Sequence, residues 1–539
     1  MPLFELQTDP LANDTENEVL VHAGSPSKAS AGIIYGKAKW DSFNEKHESS
    51  RHYLKFNLPK LLEVAVDAVG LGAKSCVKVL KCAEGLHNKG FLLTMDNGAE
   101  VFAKLPNPNA GPAHYTTASE VATREFVREM FQIPVPRVLT WASDSRNPVG
   151  AEYIIEEKAS GVKLGSVWKQ WPRGSKLKII TQIAEFEEQL ASVSFQKHGA
   201  IYFKKDLQGQ LADDANTLLI DPQASSNIDR FAMGPLACSE LWQSGRESME
   251  LDRGPWKDSS QYTRAIGHNE IAWIKSHAFP RMNYYRSTKT PQHPDEALSL
   301  LSQYMEVASY LVPRDGGDDP KVLWHPDLHL DNVFVDPETL QITAIIDWQS
   351  ASVAPLFFHI PERPDGYEDL SEDKKQQIDE DLEGETIHKY YESQVYKRSP
   401  RHWAFLQQRS IPVMRKPVWL VTGAWENKDL FFLRQSLLSL ASHWDELFPN
   451  DIGKCPLKFT EQELQLHAEE EENMDGVGQM LTLFRDQGVL PVDGMVDPED
   501  FEVAKENSRK FKDVFVGLAK DEAERELFSK LWPYQDSED

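Results

Sequence analysis

A polar loop followed by a lone carboxylate supplies the residues of this 539-residue chain that could do chemistry. Residues 322–349 read VLWHPDLHLDNVFVDPETLQITAIIDWQ. Asp327 could orient a substrate hydroxyl and accept its proton, as phosphoryl transfer to an alcohol requires. Asn332 could give a carbonyl oxygen to Mg²⁺, and Asp347 could give the charged oxygen that holds Mg²⁺ on the phosphates of ATP.

A hairpin must bring these three side chains together. Residues 333–335 (VFV) and 340–346 (LQITAII) predict two short strands. Residues 336–339 read DPET and predict the turn between them, because proline fixes φ and Asp bonds its own backbone. The hairpin returns Asp347 to the loop that carries Asp327 and Asn332. An Asp beside a proline or after a strand is usually structural, but the complete set favours a catalytic loop.

The pattern H-x-D-L-H-x-x-N followed by I-I-D-W resembles the catalytic and metal-binding loops of the aminoglycoside phosphotransferase family. The resemblance implies an α+β, bilobal protein-kinase-like fold with a small antiparallel-sheet N-lobe. It also implies a large helical C-lobe, which here would carry a C-terminal helical extension. The runs E-G-x-x-N-K-x-F-L-L-T-M-D-N-G and H-P-D-L-H-L-D-N extend the likeness to the fungal altered inheritance of mitochondria branch, from which Leu86 departs by replacing a glycine.

A lysine on a predicted strand is the expected partner of the ATP phosphates. Alternation puts Lys104 on one face of the apolar strand 100–105, where an unpaired ammonium is costly. In the kinase interpretation it pairs with the phosphates and with an acid on the helix predicted over 116–130. Glu120 is the favoured acid and Glu125 the alternative. The other interpretation is a strand-end lysine that extends to water.

Two further segments are expected to contact the nucleotide. A loop of a three-stranded meander, with Gly85 and Asn88, resembles the family's phosphate-covering loop in kind. Residues 156–161 look like the hinge between lobes, where backbone groups of Glu157 and Ala159 would bond the adenine edge. An ordinary hairpin loop and an ordinary strand-to-helix loop are the alternatives. Residues 203–294 show mixed patterns. The resemblance implies an insertion that shapes the acceptor site, and an insertion with only a structural role is the alternative.

The expected organisation has five parts. They are an acidic, poorly ordered tail (1–31), an N-terminal helical segment (32–73), the N-lobe with the nucleotide loop (74–158), the C-lobe with the catalytic and metal loops (159–360), and a helical region packed on the C-lobe (361–539).

Composition limits the classes of partner. The net charge of −26 argues against nucleic acid and anionic membranes, which demand Lys/Arg surfaces. The four cysteines have no metal-ligand spacing, and their scarcity fits a reducing compartment. The sequence contains no apolar run long enough for a transmembrane helix. The acidic N-terminus lacks an Arg-rich transit-peptide pattern and favours the cytoplasm, whereas the resemblance implies mitochondria.

Three functions follow from these patterns. The first is an ATP- and Mg²⁺-dependent phosphotransferase acting on a hydroxyl of a small molecule that the sequence does not identify. The second is a catalytically weak or inactive relative that binds nucleotide as a regulatory protein. The third is a metallohydrolase, because His325-x-Asp327-x-His329 has metal-ligand spacing. The third leaves Asn332, Asp347 and Lys104 without a role. The oligomeric state is left open.

Overall fold

A computed structural model describes most of the chain. The described residues are 53–82, 87–207, 218, 228–287, 289–312, 320–359, 387, 389–408, 410–448, 453–486, 495–496 and 501–532, with the short strands 18–19 and 38–39. Apart from Glu18–Val19, the predicted tail 1–31 lies outside these residues, as does Gly85 of the predicted nucleotide loop.

The N-lobe is built on a six-stranded antiparallel sheet. The elements in this part of the chain are β1 (Glu18–Val19), β2 (Ala38–Lys39), α1 (Leu58–Val69), β3 (Cys76–Lys81), β4 (Asn88–Met95), β5 (Glu100–Pro106), α2 (Tyr115–Phe131), β6 (Val138–Ala142) and β7 (Tyr153–Glu157). The strand order in the sheet is β1-β3-β4-β5-β7-β6, and β2 is not part of it. The predicted meander forms the centre of the sheet as β3, β4 and β5. Asn57 caps α1, which buries Leu61 and Ala65 against the sheet.

Helix α2 lies between the two lobes. Twelve of its 17 residues are buried, so it has no broad solvent face of the kind that a surface helix shows. Val121 and Phe126 belong to a core that continues into the C-lobe, and Ala118 lies in a second cluster with Tyr202 of the strand Ala200–Phe203. The position of α2 therefore depends on contacts with both lobes.

The C-lobe is mainly helical. Its principal elements are β8 (Val162–Lys163), α3 (Leu164–Trp168), α4 (Arg173–Ser192), β9 (Ala200–Phe203), β10 (Phe231–Gly234), α5 (Ser259–His277), α6 (Pro294–Val307), β11 (Lys321–Trp324), β12 (Val333–Asp336), β13 (Gln341–Ile345), β14 (Ser352–Pro355), α7 (Pro400–Leu406), α8 (Ser410–Val421), α9 (Leu430–Ser442), α10 (Trp444–Leu447), α11 (Glu461–Asp486), β15 (Met495–Val496), α12 (Phe501–Gly517) and α13 (Glu522–Leu531). Helices α5, α6, α8 and α9 share one large apolar core, in which Leu301, Tyr304 and Leu433 are fully buried.

Two small sheets support the polar loop at 325–332. Strand β11 pairs antiparallel with β14, and β12 pairs antiparallel with both β13 and β8. Because β8 follows directly on the segment that leaves the N-lobe, the interlobe connection is hydrogen-bonded to the predicted catalytic hairpin. This is the α+β, bilobal, protein-kinase-like architecture that the sequence predicts. Among the described residues, no helix is both long enough and apolar enough to cross a membrane.

Candidate active site

Lys104 is the centre of the charged groups between the lobes. Its place on β5, opposite Gly90 on one side and Ile154 on the other, directs it beneath α2. The Lys104 Nζ atom lies 2.9 Å from each carboxylate oxygen of Glu120 and 2.8 Å from Asp347 Oδ1. Burial opposes the charge on this ammonium, yet the two carboxylates together raise the pKa of Lys104 above its ordinary value.

Asp347 sits just beyond the end of β13, at the mouth of the interlobe cleft. Its backbone is left-handed, with φ of 62°, a conformation that Asp tolerates better than most residues. Its side chain is 42% exposed although Lys104 holds one oxygen. The Lys104 ammonium lowers the pKa of Asp347, so this carboxylate is ionised at neutral pH. It can therefore present a charged oxygen to a cation.

Asp327 lies on a loop that its own backbone holds in shape. The Asp327 N–H donates to His325 Nδ1 at 3.1 Å, and the Asp327 carbonyl accepts from Asn332 Nδ2 at 2.9 Å and from the His329 N–H at 3.1 Å. The carboxylate itself is 72% exposed, and His329 Nε2 lies 3.5 Å from one of its oxygens. The loop therefore fixes the main chain and leaves the carboxylate open to a solvent-borne acceptor.

His325 joins this loop to the strand that carries Asp347. Because its Nδ1 accepts a hydrogen bond, the proton is assigned to Nε2, which lies 2.9 Å from the Ile346 carbonyl oxygen. The imidazole packs edge-on against Trp348, with ring centroids 4.6 Å apart. Burial lowers the pKa of His325 to about 4, so it stays neutral and holds the two loops together.

Asn332 and Asp347, the two residues predicted to bind magnesium, lie on neighbouring segments of the fold. Asn332 is buried, and its side-chain Nδ2 donates to the Asp327 carbonyl oxygen. This hydrogen bond fixes the orientation of the amide oxygen. The Asn332 carbonyl also accepts from the Ile346 N–H at 3.0 Å, which holds this residue close to Asp347 in the fold. The described residues contain no group of three or more His, Cys, Asp or Glu suited to a metal ion. A hard cation here would need further oxygens, as Mg²⁺ obtains from phosphates and water.

The loop predicted to cover the phosphates is described only in part. Gly85 lies outside the described residues, and Asn88 begins strand β4. The Asn88 side-chain oxygen is buried and has no hydrogen-bond partner within the described part of the chain. Packing explains why position 90 is a glycine, since a Cβ there would lie 2.6 Å from the Phe102 ring.

The residues predicted to meet adenine lie on the connection between lobes. The Glu157 N–H donates to the Arg137 carbonyl at 2.9 Å, so it is already used in the sheet. Glu157 and Ala159 line a groove of about 390 Å³ together with residues 132–136 and Thr343. None of Lys104, Asp327, Asn332 or Asp347 lines that groove. The residues predicted to bind adenine therefore line a different surface from those predicted to act on the phosphates.

The predicted zinc-ligand spacing is not arranged as a metal site. Both ring nitrogens of His325 are hydrogen-bonded, one to Asp327 and one to Ile346. His329 Nδ1 accepts from the Asp331 N–H at 3.2 Å, and its other nitrogen faces Asp327. These contacts give both histidines positioning roles in the loop and do not support the metallohydrolase.

Sequence reasoning missed two charged residues behind Glu120. Arg124 and Glu156 are both buried, and the Arg124 guanidinium contacts the Glu156 carboxylate directly. The spacing of Glu120 and Arg124, four residues apart on one helix, was the available signal, because such residues are neighbours on a helix surface. Glu156 gave no local signal, since its partner lies on another element.

Comparison with known proteins supplies relatives of this chain. A model described as the phosphotransferase enzyme family matches residues 270–359, which contain Asp327, Asn332 and Asp347. A subtelomeric hrmA-associated cluster protein of Aspergillus fumigatus is 32% identical over 517 residues, covering 86% of this chain and 98% of that protein. Altered inheritance of mitochondria protein 9, mitochondrial, of Candida tropicalis is 25% identical over 451 residues, covering 72% of this chain and 68% of that protein.

A solved structure is also similar to the chain. It is a thermostable mutant of aminoglycoside phosphotransferase APH(4)-Ia in ternary complex with AMP-PNP and hygromycin B. The match has a TM-score of 0.36 and 15% identity, and it covers 73% of this chain and 99% of that one.

Proposed function

This chain belongs to the aminoglycoside phosphotransferase family, and we propose that it transfers the γ-phosphoryl group of ATP to a hydroxyl of a small molecule. One observation carries the proposal. The Lys104 ammonium is held between Glu120 and Asp347, and Asp347 is tied through Ile346 and His325 to the loop that bears Asp327. In this proposal a buried ammonium, a carboxylate for the metal ion and an exposed base act together on segments that these hydrogen bonds join, as phosphoryl transfer requires.

Each residue has a distinct task in this proposal. Lys104 holds phosphate oxygens of ATP while Glu120 keeps the ammonium in place. Asn332 and Asp347 offer oxygens for Mg²⁺, which when bound neutralises charge on the phosphates. The exposed Asp327 carboxylate accepts the proton of the acceptor hydroxyl. The hydroxyl oxygen then bonds to the γ-phosphorus as the bond between the γ-phosphorus and the ADP oxygen breaks. His329 limits the rotation of that carboxylate.

The test combines nucleotide binding with product detection. Purified protein is incubated with MgATP and fractions of a fungal metabolite extract, and ADP and phosphorylated products are measured by mass spectrometry. We expect at least one fraction to yield a product heavier by one phosphoryl group, and the Asp327→Asn protein to yield none. A chain that neither binds MgATP nor consumes ATP with any fraction would rule out the proposal.

A second candidate is a nucleotide-binding regulatory protein without turnover. The observation in its favour is that Asp347 already pairs with Lys104 at 2.8 Å, so the ammonium and the metal carboxylate neutralise each other. Such a protein would bind nucleotide and be stabilised by it. It would consume no ATP with any acceptor fraction, and this result separates the two candidates.

We also propose a mitochondrial location, which the name of the Candida tropicalis relative motivates. Fractionation of cells that express a C-terminally tagged chain tests this location. Tagged protein found only in the cytosolic fraction would overturn it.

A further inference from the structure

The pairing of Lys104 with Glu120 is backed by a second pair of buried charges. Arg124 follows Glu120 by one helical turn on α2, and its Nη1 lies 3.7 Å from a Glu120 oxygen. The same guanidinium contacts the Glu156 carboxylate, and its Nη2 donates to the Pro136 carbonyl at 3.0 Å. All four charged side chains, Lys104, Glu120, Arg124 and Glu156, are at least nine-tenths buried.

These side chains, with Asp347, form a row of alternating charge. In order they are Asp347, Lys104, Glu120, Arg124 and Glu156, so each cation lies between two carboxylates. Water screens the four buried charges poorly, so each of them depends on its neighbours for stabilisation. Burial raises the pKa of Glu156, and Arg124 acts against that rise. Removing Arg124 would leave Glu120 and Glu156 without the cation between them.

Glu156 connects this row to the interlobe connection. It lies on β7, opposite Phe102 of β5 and Val138 of β6, and directly before the segment 157–160 that leaves the N-lobe. Arg124 thus joins the helix that carries Glu120 to the strand that leads into that connection. A planar guanidinium suits this place, because it can reach two carboxylates and a carbonyl from one fixed fork.

We propose that Arg124 and Glu156 are positioning residues for nucleotide binding, which hold Glu120 against Lys104 and so fix the lysine at the phosphate site. This inference rests on the proposed function for its ligand, MgATP. Neither residue touches the phosphates in this proposal. Their effect passes through the Glu120 carboxylate, so it should change the affinity for MgATP and leave the exposed base Asp327 unaffected.

The main test removes both partners together. In Arg124→Met/Glu156→Met, apolar side chains of similar length replace the pair, which a buried site tolerates better than one orphaned charge. We expect the dissociation constant for MgATP, measured by calorimetry, to rise by about tenfold or more, as loss of a supporting shell typically causes. In an active enzyme, KM for ATP should rise by a similar factor, while kcat at saturating ATP changes little.

A matched pair in the C-lobe gives the control. Arg246 and Glu270 are equally buried and lie 2.7 Å apart, on elements that do not contact Lys104 in this network. Arg246→Met/Glu270→Met should lower stability without changing the dissociation constant for MgATP. If both double variants weaken MgATP equally, the effect is a general loss of stability and the proposal is overturned.

If the double variant does not fold, two conservative single variants provide the test. Arg124→Lys keeps the positive charge but loses the planar guanidinium with its several donors. Glu156→Gln keeps the shape of the side chain but loses its negative charge. Both should fold, and Arg124→Lys should retain more MgATP affinity than Arg124→Met. Equal affinity for MgATP in the wild type, Arg124→Lys and Glu156→Gln would overturn the proposal.

A measurement without nucleotide separates this inference from the proposed function. Acetic anhydride labelling of Lys104 at one pH, followed by mass spectrometry, reports how accessible the amine is to the reagent. The double variant should label Lys104 faster than the wild type, because Glu120 is no longer fixed against the ammonium. Unchanged labelling overturns the inference. If labelling increases in the double variant but the wild type binds no MgATP, the proposed function alone is contradicted.

Discussion

Lys104 Nζ and Asp347 Oδ1 lie 2.8 Å apart across the cleft between the lobes, although 243 residues separate them in the chain. The ammonium is buried, whereas the Asp347 side chain is 42% exposed. The pair therefore lies at the boundary between the interior and the cleft. A ligand that brings both a phosphate and a cation can replace each partner with a charge of the right sign.

The first prediction follows from this exchange. Asp347→Asn should bind MgATP more weakly, because a neutral amide holds a hard cation less well than a carboxylate does. It should bind metal-free ATP about two- to fivefold more tightly, because Lys104 is freed from a partly exposed ion pair. Calorimetry with and without EDTA measures both. Asn332→Ala is the control, since it should weaken MgATP less and leave metal-free ATP unchanged.

The second prediction concerns the proposed base. Because the Asp327 carboxylate is exposed, Asp327→Asn should leave the melting temperature and the MgATP affinity unchanged. Its turnover should fall by about 10²–10⁴-fold, as expected when a positioned base is lost. Single-turnover kinetics with an identified acceptor measures the rate. Wild-type turnover in this variant would show that another group takes the proton.

The local parts of the site could be predicted from sequence because their signals are local. The hairpin of β12 and β13 follows from two short strand segments around the DPET turn, and Lys104 was placed correctly within strand β5. Helix α5, Ser259–His277, escaped prediction because its buried face mixes apolar residues with polar ones, which include Thr263, Asn269 and Glu270. Those groups are satisfied by partners distant in sequence, such as Arg246 on Glu270, so no pattern within the helix reveals its burial.

Contacts between elements were the part that sequence could not supply. Gly267 appears unfavourable within a helix, yet a Cβ there would lie 2.5 Å from Met305 Sδ on the neighbouring helix α6. Only the packed structure shows that reason. In the same way, the kinase-like resemblance predicted the pairing of Glu120 with Lys104, but the buried partner of Arg124 on β7 depends on how the sheet meets α2.

The third prediction uses a glycine in the interlobe connection. Gly161 has φ of 90°, and a Cβ there would lie 2.3 Å from the Val335 carbonyl oxygen. Gly161→Ala should lower the free energy of unfolding by about 1–3 kcal/mol, through backbone strain and displacement of β12. Gly174→Ala is the matched control, since its Cβ meets nothing within 4 Å and helix α4 should gain about 0.5–1 kcal/mol. Urea unfolding measures both variants.

The fourth prediction is a loss of stability in weak acid. Burial lowers the pKa of His198 to about 3 and that of His402, which packs edge-on against Trp324, to about 4. Below pH 6.5 these histidines take up protons in the unfolded chain but stay neutral in the folded one. Stability therefore falls as pH drops from 6.5 toward 4, by about 2 kcal/mol per histidine between pH 6.5 and 5.

Urea unfolding at pH 7 and pH 5 measures this loss, with His402→Phe as the comparison. The phenylalanine keeps an aromatic edge for Trp324 and cannot take up a proton. The variant should lose less stability than the wild type between the two pH values. An identical loss in both proteins would show that His402 does not contribute to the acid sensitivity.

The last prediction compares two glutamates on the same helix. Glu120 is buried and holds Lys104, whereas Glu125 is 40% exposed and pairs with Arg230 at 2.9 Å. Glu120→Gln should weaken MgATP binding because the Lys104 ammonium loses a charged partner in a site that water does not reach. Glu125→Gln should change stability by about 0.5 kcal/mol or less and leave MgATP affinity as in the wild type, because exposed ion pairs contribute little. Thermal shifts with and without MgATP measure both variants side by side. A larger loss of MgATP stabilisation in Glu125→Gln than in Glu120→Gln would mean that the buried pair does not hold the nucleotide lysine.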